Sequence, residues 1–318
     1  DNWGASNANA AGAWQRNIRG DGIIVAVVDS GVSADHNQLV SQMAYNKGES
    51  GTDASGKDKR TNGIDDDHNG FVDDWVGYDF SNNSSVPLDN NEHGTHVAGI
   101  IAAEHHDSVV KTGYVQGVAP EVKILPATFI GSEGYGEISN AIRAIDYAVM
   151  RGARVINASW GGAPCSQALK QKIAGLEAQG VMLIVASGNS GRDIDRNAEY
   201  PAAFHLPNQI TVGAIGYRNG MASFSNYGDI GVHLFAPGVD IVSTVPNNQI
   251  AAMDGTSMAT PFVTGAVALL LGHRPTASAD QIRAALYESS TYDRYYRNAS
   301  HGRLNIGAAI RILEGLIP

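Results

Sequence analysis

Apolar residues along this chain gather into short dense runs at 23–28, 122–125, 155–158, 181–186 and 210–212, most of them closed by Gly, Ser or Asp. Runs that are apolar on both faces are what a parallel sheet covered on both sides requires. Between them the period changes. Ile138, Ala141, Ile142, Ile145 and Val149 lie at i, i+3, i+4, i+7 and i+11, with Gly152 as a stop, which predicts an amphipathic helix packed on the sheet. A second helix is predicted to start at Ser166, turn Leu169, Ile173 and Leu176 inward and stop at Gly180. Residues 258–271 are almost entirely apolar, so a helix there is buried on all sides. Ser278, with Gln281 three residues on, forms a capping-box pattern ahead of Ile282, Ala285 and Leu286 and predicts a further helix at the surface. The alternation of strand and helix predicts an α/β fold: a single domain with a mostly parallel central β-sheet and helices on both faces.

The length, 318 residues, allows either two average domains or one large α/β domain. With no linker, repeat or low-complexity tract, one domain over 1–318 is expected, and the polar stretch at 47–91 reads as a loop region inserted within it. The formal charge of −10, with no run of Lys and Arg, makes nucleic acid and anionic membrane surfaces poor partners. No segment reaches the roughly 18 consecutive apolar residues of a membrane span. Residues 1–4 carry no basic-then-apolar leader and read as a processed N-terminus. The one cysteine, Cys165, leaves the redox compartment open; its expected role is a small packed hydrophobe, the alternative a solvent-reachable thiol near a substrate groove.

In an open parallel sheet, ligands bind outside the carboxyl ends of the strands, so the polar residues that close the apolar runs are the first candidates for chemistry. The run at 23–28 delivers Asp29, which by itself reads equally as a turn or capping residue. His93 opens His93-Gly94-Thr95-His96-Val97-Ala98-Gly99, whose small residues let a buried helix begin directly behind the imidazole, the fixed placement a general base needs. A metal reading of His93 and His96 lacks the intervening Glu of a His-Glu-x-x-His site. Ser257, in Gly255-Thr256-Ser257-Met258-Ala259-Thr260-Pro261, opens the buried helix, where free N–H groups meet a developing anion. A serine there can also be only a cap. The joint occurrence of all three, in the order Asp, His, Ser, favours nucleophilic chemistry.

These three blocks resemble the Asp, His and Ser signatures of the subtilisin family, whose own chain order is Asp, His, Ser. The resemblance extends in order through Gly117-Val118-Ala119-Pro120, Asn157-Ala158-Ser159-Trp160-Gly161-Gly162, Ala186-Ser187-Gly188-Asn189, Tyr200-Pro201-Ala202 and Ala236-Pro237-Gly238. It implies the three-layer αβα fold and a serine endopeptidase in which Ser257 is the nucleophile, His93 carries its proton and Asp29 orients the imidazole. It further implies that Asn189 supplies the oxyanion-hole amide, although a turn Asn between glycines fits the local composition as well. Gly134-Tyr135-Gly136 and Ser159-Trp160-Gly161 resemble the segments that pair with a peptide backbone. Ala186, Ser187 and Gly188 are expected to wall the specificity pocket. Ser190 stands where some members carry an acidic residue, so no charge is evident to select Lys or Arg, and an apolar or aromatic preference is expected. Pro201 resembles a family cis-proline.

The chain also departs from the pattern. Asp29 and His93 are 64 residues apart, more than in the shorter subtilisins, and Phe262 stands where many members have His, an expected packing change. Gln38 replaces the Asp of the common calcium site, and the loop at 104–116 is longer than theirs, which puts that site in doubt. The insertion has its own metal signal. Asp65, Asp67 and Asn69 alternate, Gly70 is sixth and Phe71 seventh, the way a short loop wraps Ca²⁺ with side-chain and carbonyl oxygens. Val76 occupies the twelfth position, so Asp73 or Asp74 is expected to replace the missing Glu; the alternative is a solvated acidic turn. Some subtilisin relatives carry a similar calcium-binding insertion. Polypeptide substrates, a removed pro-segment acting as chaperone and inhibitor, a monomer and secretion complete the expectation. The competing classes are a binding module that lost activity and an intracellular processing protease.

Overall fold

The computed structural model describes residues 3–105, 113–162 and 164–317. Its strands in chain order are β1 (Ile24–Asp29), β2 (Tyr78–Asp79), β3 (Lys123–Thr128), β4 (Val155–Ala158), β5 (Met182–Ala186), β6 (Gln209–Ile215), β7 (Leu234–Pro237), β8 (Ile241–Val245), β9 (Gln249–Met253), β10 (Thr291–Tyr292) and β11 (Gly302–Arg303). Helices are α1 (Trp3–Asn7), α2 (Ala11–Trp14), α3 (His93–Ala102), α4 (Ile138–Met150), α5 (Gln167–Gly175), α6 (Thr256–His273), α7 (Ala279–Glu288) and α8 (Ile306–Leu316). Nine strands form one sheet in the order β10-β11-β7-β6-β5-β4-β1-β3-β2, parallel throughout except where β10 meets β11.

The dense runs have a direct cause. In β1, Val25 and Val27 enter one apolar layer and Ala26 and Val28 the other; in β5, Met182 and Ile184 oppose Leu183 and Val185. Helices α3, α6, α7 and α8 cover the first face, and α4 and α5 the second. The expected α/β sheet with helices on both faces is what folds. Gly152 at φ +82° ends α4, and Ser166 caps α5 by accepting from the Leu169 N–H at 3.2 Å. The capping box at Ser278 and Gln281 closes in both directions.

The stretch at 47–91 carries only β2 and a short 3₁₀ turn at Lys59–Thr61. It is held to the sheet edge by an aromatic cluster in which Phe71 meets Tyr78, Phe80 and Tyr147 with centroids 4.8–5.8 Å apart. Phe262 is fully buried beneath α1, where a Cβ on Gly4 would come within 2.3 Å of its ring. The buried Gln38 amide donates to the Gly113 carbonyl and accepts from the Val115 N–H, so it engages its neighbouring loop through a neutral group. Of the long loop at 104–116, residues 106–112 lie outside the described residues, as do Asp1 and Asn2 of the N-terminus. The Tyr200–Pro201 bond is cis. Cys165, expected to pack as a small hydrophobe, is exposed instead, in the loop before α5. Among the described residues, no helix is long and apolar enough to cross a membrane.

Candidate active site

The sheet delivers its polar residues to one end. Asp29 is the last residue of β1, His93 the first of α3, Ser159 follows β4, Asn189 lies just beyond β5 and Ser257 is the second residue of α6. Asp29 is fully buried. Its Oδ1 accepts from the Ser30 N–H at 2.7 Å and pairs with His93 Nδ1 at 2.7 Å, which puts the proton on Nδ1 and leaves Nε2 as the basic nitrogen. The other carboxylate oxygen is buried without a hydrogen-bond partner among the described residues. Burial pushes the His93 pKa down, but the charge of Asp29, its hydrogen bond and the charge of Asp89 outweigh that, and the net direction is upward.

Asp89 was not apparent from sequence. Its carboxylate accepts from the Thr95 N–H at 2.8 Å and from the Ser30 hydroxyl at 3.0 Å, while Ser30 Oγ accepts from the Gly94 N–H at 2.9 Å. It thus pins the start of α3 to the end of β1. An acidic residue just ahead of a helix was the signal available. His96 is structural: Nε2 donates toward the Ile241 and Ala251 carbonyls at 2.9 and 3.1 Å, and burial lowers its pKa to about 4. That commitment to carbonyls removes the zinc alternative for the pair.

Ser257 sits in the first turn of α6, where N–H groups have no intrahelical partner. Its hydroxyl donates to the Ser159 carbonyl at 2.9 Å, and the Ser159 hydroxyl donates back to the Ser257 carbonyl at 2.9 Å. The serine proton therefore rests on Ser159, not on His93. Behind this pair runs a buried chain: Thr264 Oγ1 donates to Asn157 Oδ1 at 2.7 Å, and Asn157 Nδ2 donates to Ser159 Oγ at 2.9 Å. Asn189 Oδ1 accepts twice from Thr256, from its N–H and its hydroxyl, both at 2.9 Å. Two donors on Oδ1 fix the amide so that Nδ2 is left for another acceptor. Gly255 at φ +155° precedes this turn, and a Cβ there would approach Asn189 Nδ2 at 3.5 Å.

Beside Ser257 lies a cavity of about 260 Å³ lined by Trp160, Gly161, Ala186, Gly188, Asn189, Ser190, Glu199 and Thr256 as well. Of the expected wall, Ala186 and Gly188 are on it. Ser187 is fully buried behind it and donates to the Asn226 carbonyl at 3.3 Å. Trp160 anchors its indole N–H on the Val28 carbonyl at 2.9 Å. Gly134, Tyr135 and Gly136 stand apart from the cavity lining. They form the return of a turn in which Gly131 N–H bonds the Tyr135 carbonyl at 2.9 Å, and Asn91, near His93, donates to Ser132 at 3.2 Å. Tyr135 is 84% exposed. Glu199 is the correction to the expectation of an uncharged pocket. It sits next to Tyr200 in sequence, within a polar stretch where nothing but its neighbourhood to the family block marked it.

The acidic insertion gathers differently from its linear spacing. Glu49, Asp65 and Asp67 bring carboxylate oxygens within 4.8 Å of one another. Glu49 is fully buried, with Oε1 on the Asp66 N–H at 2.8 Å and Oε2 without a partner among the described residues. Burial raises its pKa, the Asp66 N–H lowers it, and the charges of Asp66, Asp67 and Asp74 raise it further. Asn69 Oδ1 accepts from the Phe71 N–H at 2.8 Å. Of the two expected replacements for a twelfth-position Glu, Asp74 lies beside the loop, its Oδ1 accepting from Asn69 Nδ2 at 3.2 Å and from Asn46 Nδ2 at 2.6 Å. Asp73 accepts from the Gly63 N–H at 3.1 Å, and the buried Asp74 is taken by Arg151 at 2.8 Å and the Tyr147 hydroxyl at 2.7 Å. Glu49 supplies the third carboxylate, from 16 residues ahead of Asp65.

Residues 20–305 match the model of the subtilase family. Subtilisin DY of Bacillus licheniformis is 39% identical over 236 residues, 73% of this chain and 82% of that protein. Subtilisin BL of Lederbergia lenta is 34% identical over 309 residues, 97% of this chain and 98% of that one. A cold-adapted subtilisin-like serine proteinase has a crystal structure that matches with a TM-score of 0.69 at 30% identity, over 91% of this chain and 89% of that one. With this fold and these matches along nearly its whole length, the chain belongs to the subtilase family and is a serine endopeptidase of the subtilisin type.

Proposed function

We propose that Asp29, His93 and Ser257 form the catalytic triad and that peptide bonds are cleaved through an acyl-enzyme on Ser257. The 2.7 Å bond between Asp29 and His93 Nδ1 carries the reading, because it leaves Nε2 as the one nitrogen able to take a proton. On substrate entry the Ser257 hydroxyl leaves the Ser159 carbonyl for Nε2; such bonds commonly tighten only in the complex. Oγ attacks the scissile carbonyl, and the proton passes to Nε2. The tetrahedral oxyanion accepts from Asn189 Nδ2 and the Ser257 N–H. Collapse expels the amine with the proton from His93, and water, deprotonated by the same nitrogen, hydrolyses the ester.

The peptide lies along Ser159-Trp160-Gly161 on one side and Gly134-Tyr135-Gly136 on the other, with its first side chain in the cavity beside Ser257. An apolar or aromatic preference is not retained, since Glu199 stands in that cavity. Calcium is held by Glu49, Asp65 and Asp67 with Asn69 and the Phe71 carbonyl; three converging carboxylates and an unpartnered buried oxygen support the choice of a hard cation. When bound, the ion neutralises the cluster and takes no part in the chemistry. A site of this kind loads where calcium is abundant, which supports secretion. A single peptidase domain over 1–318, a monomeric state and a pro-segment serving as folding aid and inhibitor follow from the family.

The test is digestion of a denatured protein, read by mass spectrometry, with wild type, wild type treated with a serine-directed phosphonylating inhibitor, and Ser257→Ala. Wild type should cleave, the inhibitor should label Ser257 and stop cleavage, and the variant should be folded and inactive. Near-normal turnover by Ser257→Ala would overturn the assignment.

A further inference from the structure

We infer that Glu199 makes the pocket beside Ser257 a subsite for a long cationic side chain, so that this peptidase cleaves after Lys and Arg. The inference rests on the reading of Ser257 as nucleophile and of the adjoining cavity as the first subsite. Glu199 lines the same cavity as Ser257 and Asn189, and its side chain is only 13% exposed. A carboxylate so far withdrawn from water is costly without hydrogen bonds. One of its oxygens is supplied: Oε2 accepts from Asn226 Nδ2 at 2.6 Å. Asn226 is itself fully buried and fixed, donating to the Ser187 carbonyl at 2.8 Å and accepting from the Ser190 and Arg192 N–H groups at 3.0 and 3.1 Å. The acid is built in, not draped over the surface.

Two glycines keep that carboxylate uncovered. At Gly188, φ +101°, an added Cβ would fall 2.6 Å from Oε2, and at Gly162 it would fall 3.6 Å from Oε1. A side chain at Gly188 would close the approach. The cation beside it, Arg192, stands at 3.7 Å, beyond hydrogen-bond distance, with a half-exposed side chain whose Nη2 donates to Ser190 Oγ at 3.1 Å. Arg192 screens Glu199 without satisfying it. Trp160, Gly161 and Ala186 are also on the lining and offer carbon surface to the aliphatic stem of Lys or Arg. A cation ending at Glu199 gains a charge-assisted bond in a half-dry site, whereas a phenyl ring there desolvates the carboxylate further and leaves it only Asn226 and the more distant Arg192.

The test is a set of peptide anilides identical except for Lys, Arg, Phe or Leu before the scissile bond, with kcat/KM for each. Wild type should favour Lys and Arg over Phe and Leu by about tenfold or more, and that ratio should fall by roughly ten- to a hundredfold in Glu199→Gln, the range expected for one hydrogen bond to a charged group. Raised salt should lower the ratio in wild type, and Arg192→Ala should raise it. Wild-type preference for Phe or Leu, which needs no variant to fold, would overturn the inference, as would a ratio in Glu199→Gln within about twofold of wild type. These failures are separable from failure of the underlying reading. An enzyme that is silenced by the phosphonylating inhibitor and still prefers Phe loses only the specificity, whereas one that hydrolyses every anilide as Ser257→Ala loses the mechanism.

Discussion

At the scale of single residues, under the proposed triad the balance at His93 decides when the enzyme works. Desolvation disfavours the imidazolium, and the buried Asp29 carboxylate, with one oxygen bonded to the ring and the other without a partner among the described residues, favours it more strongly. The pKa therefore stands above the ordinary value near 6.5. Catalysis uses the neutral form, so kcat/KM should be low at acid pH and rise through an inflection above about 6.5, with a single limb assignable to His93. Stopped assays across pH 5 to 10, corrected for stability, measure it. A profile flat down to pH 4, or an inflection well below 6.5, would exclude Asp29 as the dominant neighbour. Asn189 makes the complementary point: its amide direction is set by two Thr256 donors, so the proposed oxyanion donor is oriented before substrate arrives.

At the scale of elements, what was legible in the sequence follows from how each element is buried. Strands such as β1 and β5, covered on both faces, leave no polar position, so their runs stand out; α6, buried all round, is equally plain. The edge strands β2 and β10, and β11 next to β10, are two residues long and leave no period to read. The proposed triad positions were visible because they lie at the ends of the clearest elements. Glu49, Asp89 and Glu199 were not, since each acts across a loop on residues distant in sequence, and no periodicity encodes that. Another long-range link is the clamp on the start of α6. Thr264, two turns into the helix, donates to Asn157 on β4, which holds Ser159 against Ser257. Thr264→Val keeps the shape and removes the donor, leaving the buried Asn157 oxygen unpaired. The expected cost is about 1–3 kcal/mol of stability, read as a lowered melting temperature. Because Ser159 Oγ, held by Asn157, fixes the Ser257 carbonyl and with it the turn that presents the hydroxyl, kcat should fall as well. A variant with wild-type stability and kcat would show the chain to be incidental.

At the scale of the whole molecule, the insertion is a loop region without a core of its own, and its stability depends on what neutralises its acids. Phe71 ties it to the aromatic cluster and Arg151 takes Asp74, but Glu49, Asp65 and Asp67 converge with no cation among the described side chains placed on all three. Burial chiefly raises the pKa of Glu49, and the charges of Asp66, Asp67 and Asp74 push it the same way. A cation bound only by the folded loop stabilises it by RT ln(1 + [L]/Kd), about 2.7 kcal/mol at a hundredfold excess over Kd. Chelation should therefore open the insertion locally, expose it to self-cleavage and shorten the half-life at elevated temperature more than it lowers the initial rate. Asp65→Ala with Asp67→Ala should reproduce that loss in the presence of calcium. Glu49→Gln should do so too, although Glu49 lies outside the linear loop, because it removes a ligand charge at the buried end of the cluster; Asp73→Asn, whose carboxylate among the described residues serves only the Gly63 N–H, should keep the calcium response. Melting temperatures with and without calcium, measured on inhibitor-blocked protein to suppress self-cleavage, decide it. If Glu49→Gln retains the full calcium shift while Asp73→Asn loses it, the ion is held by the linear loop and not by the folded cluster.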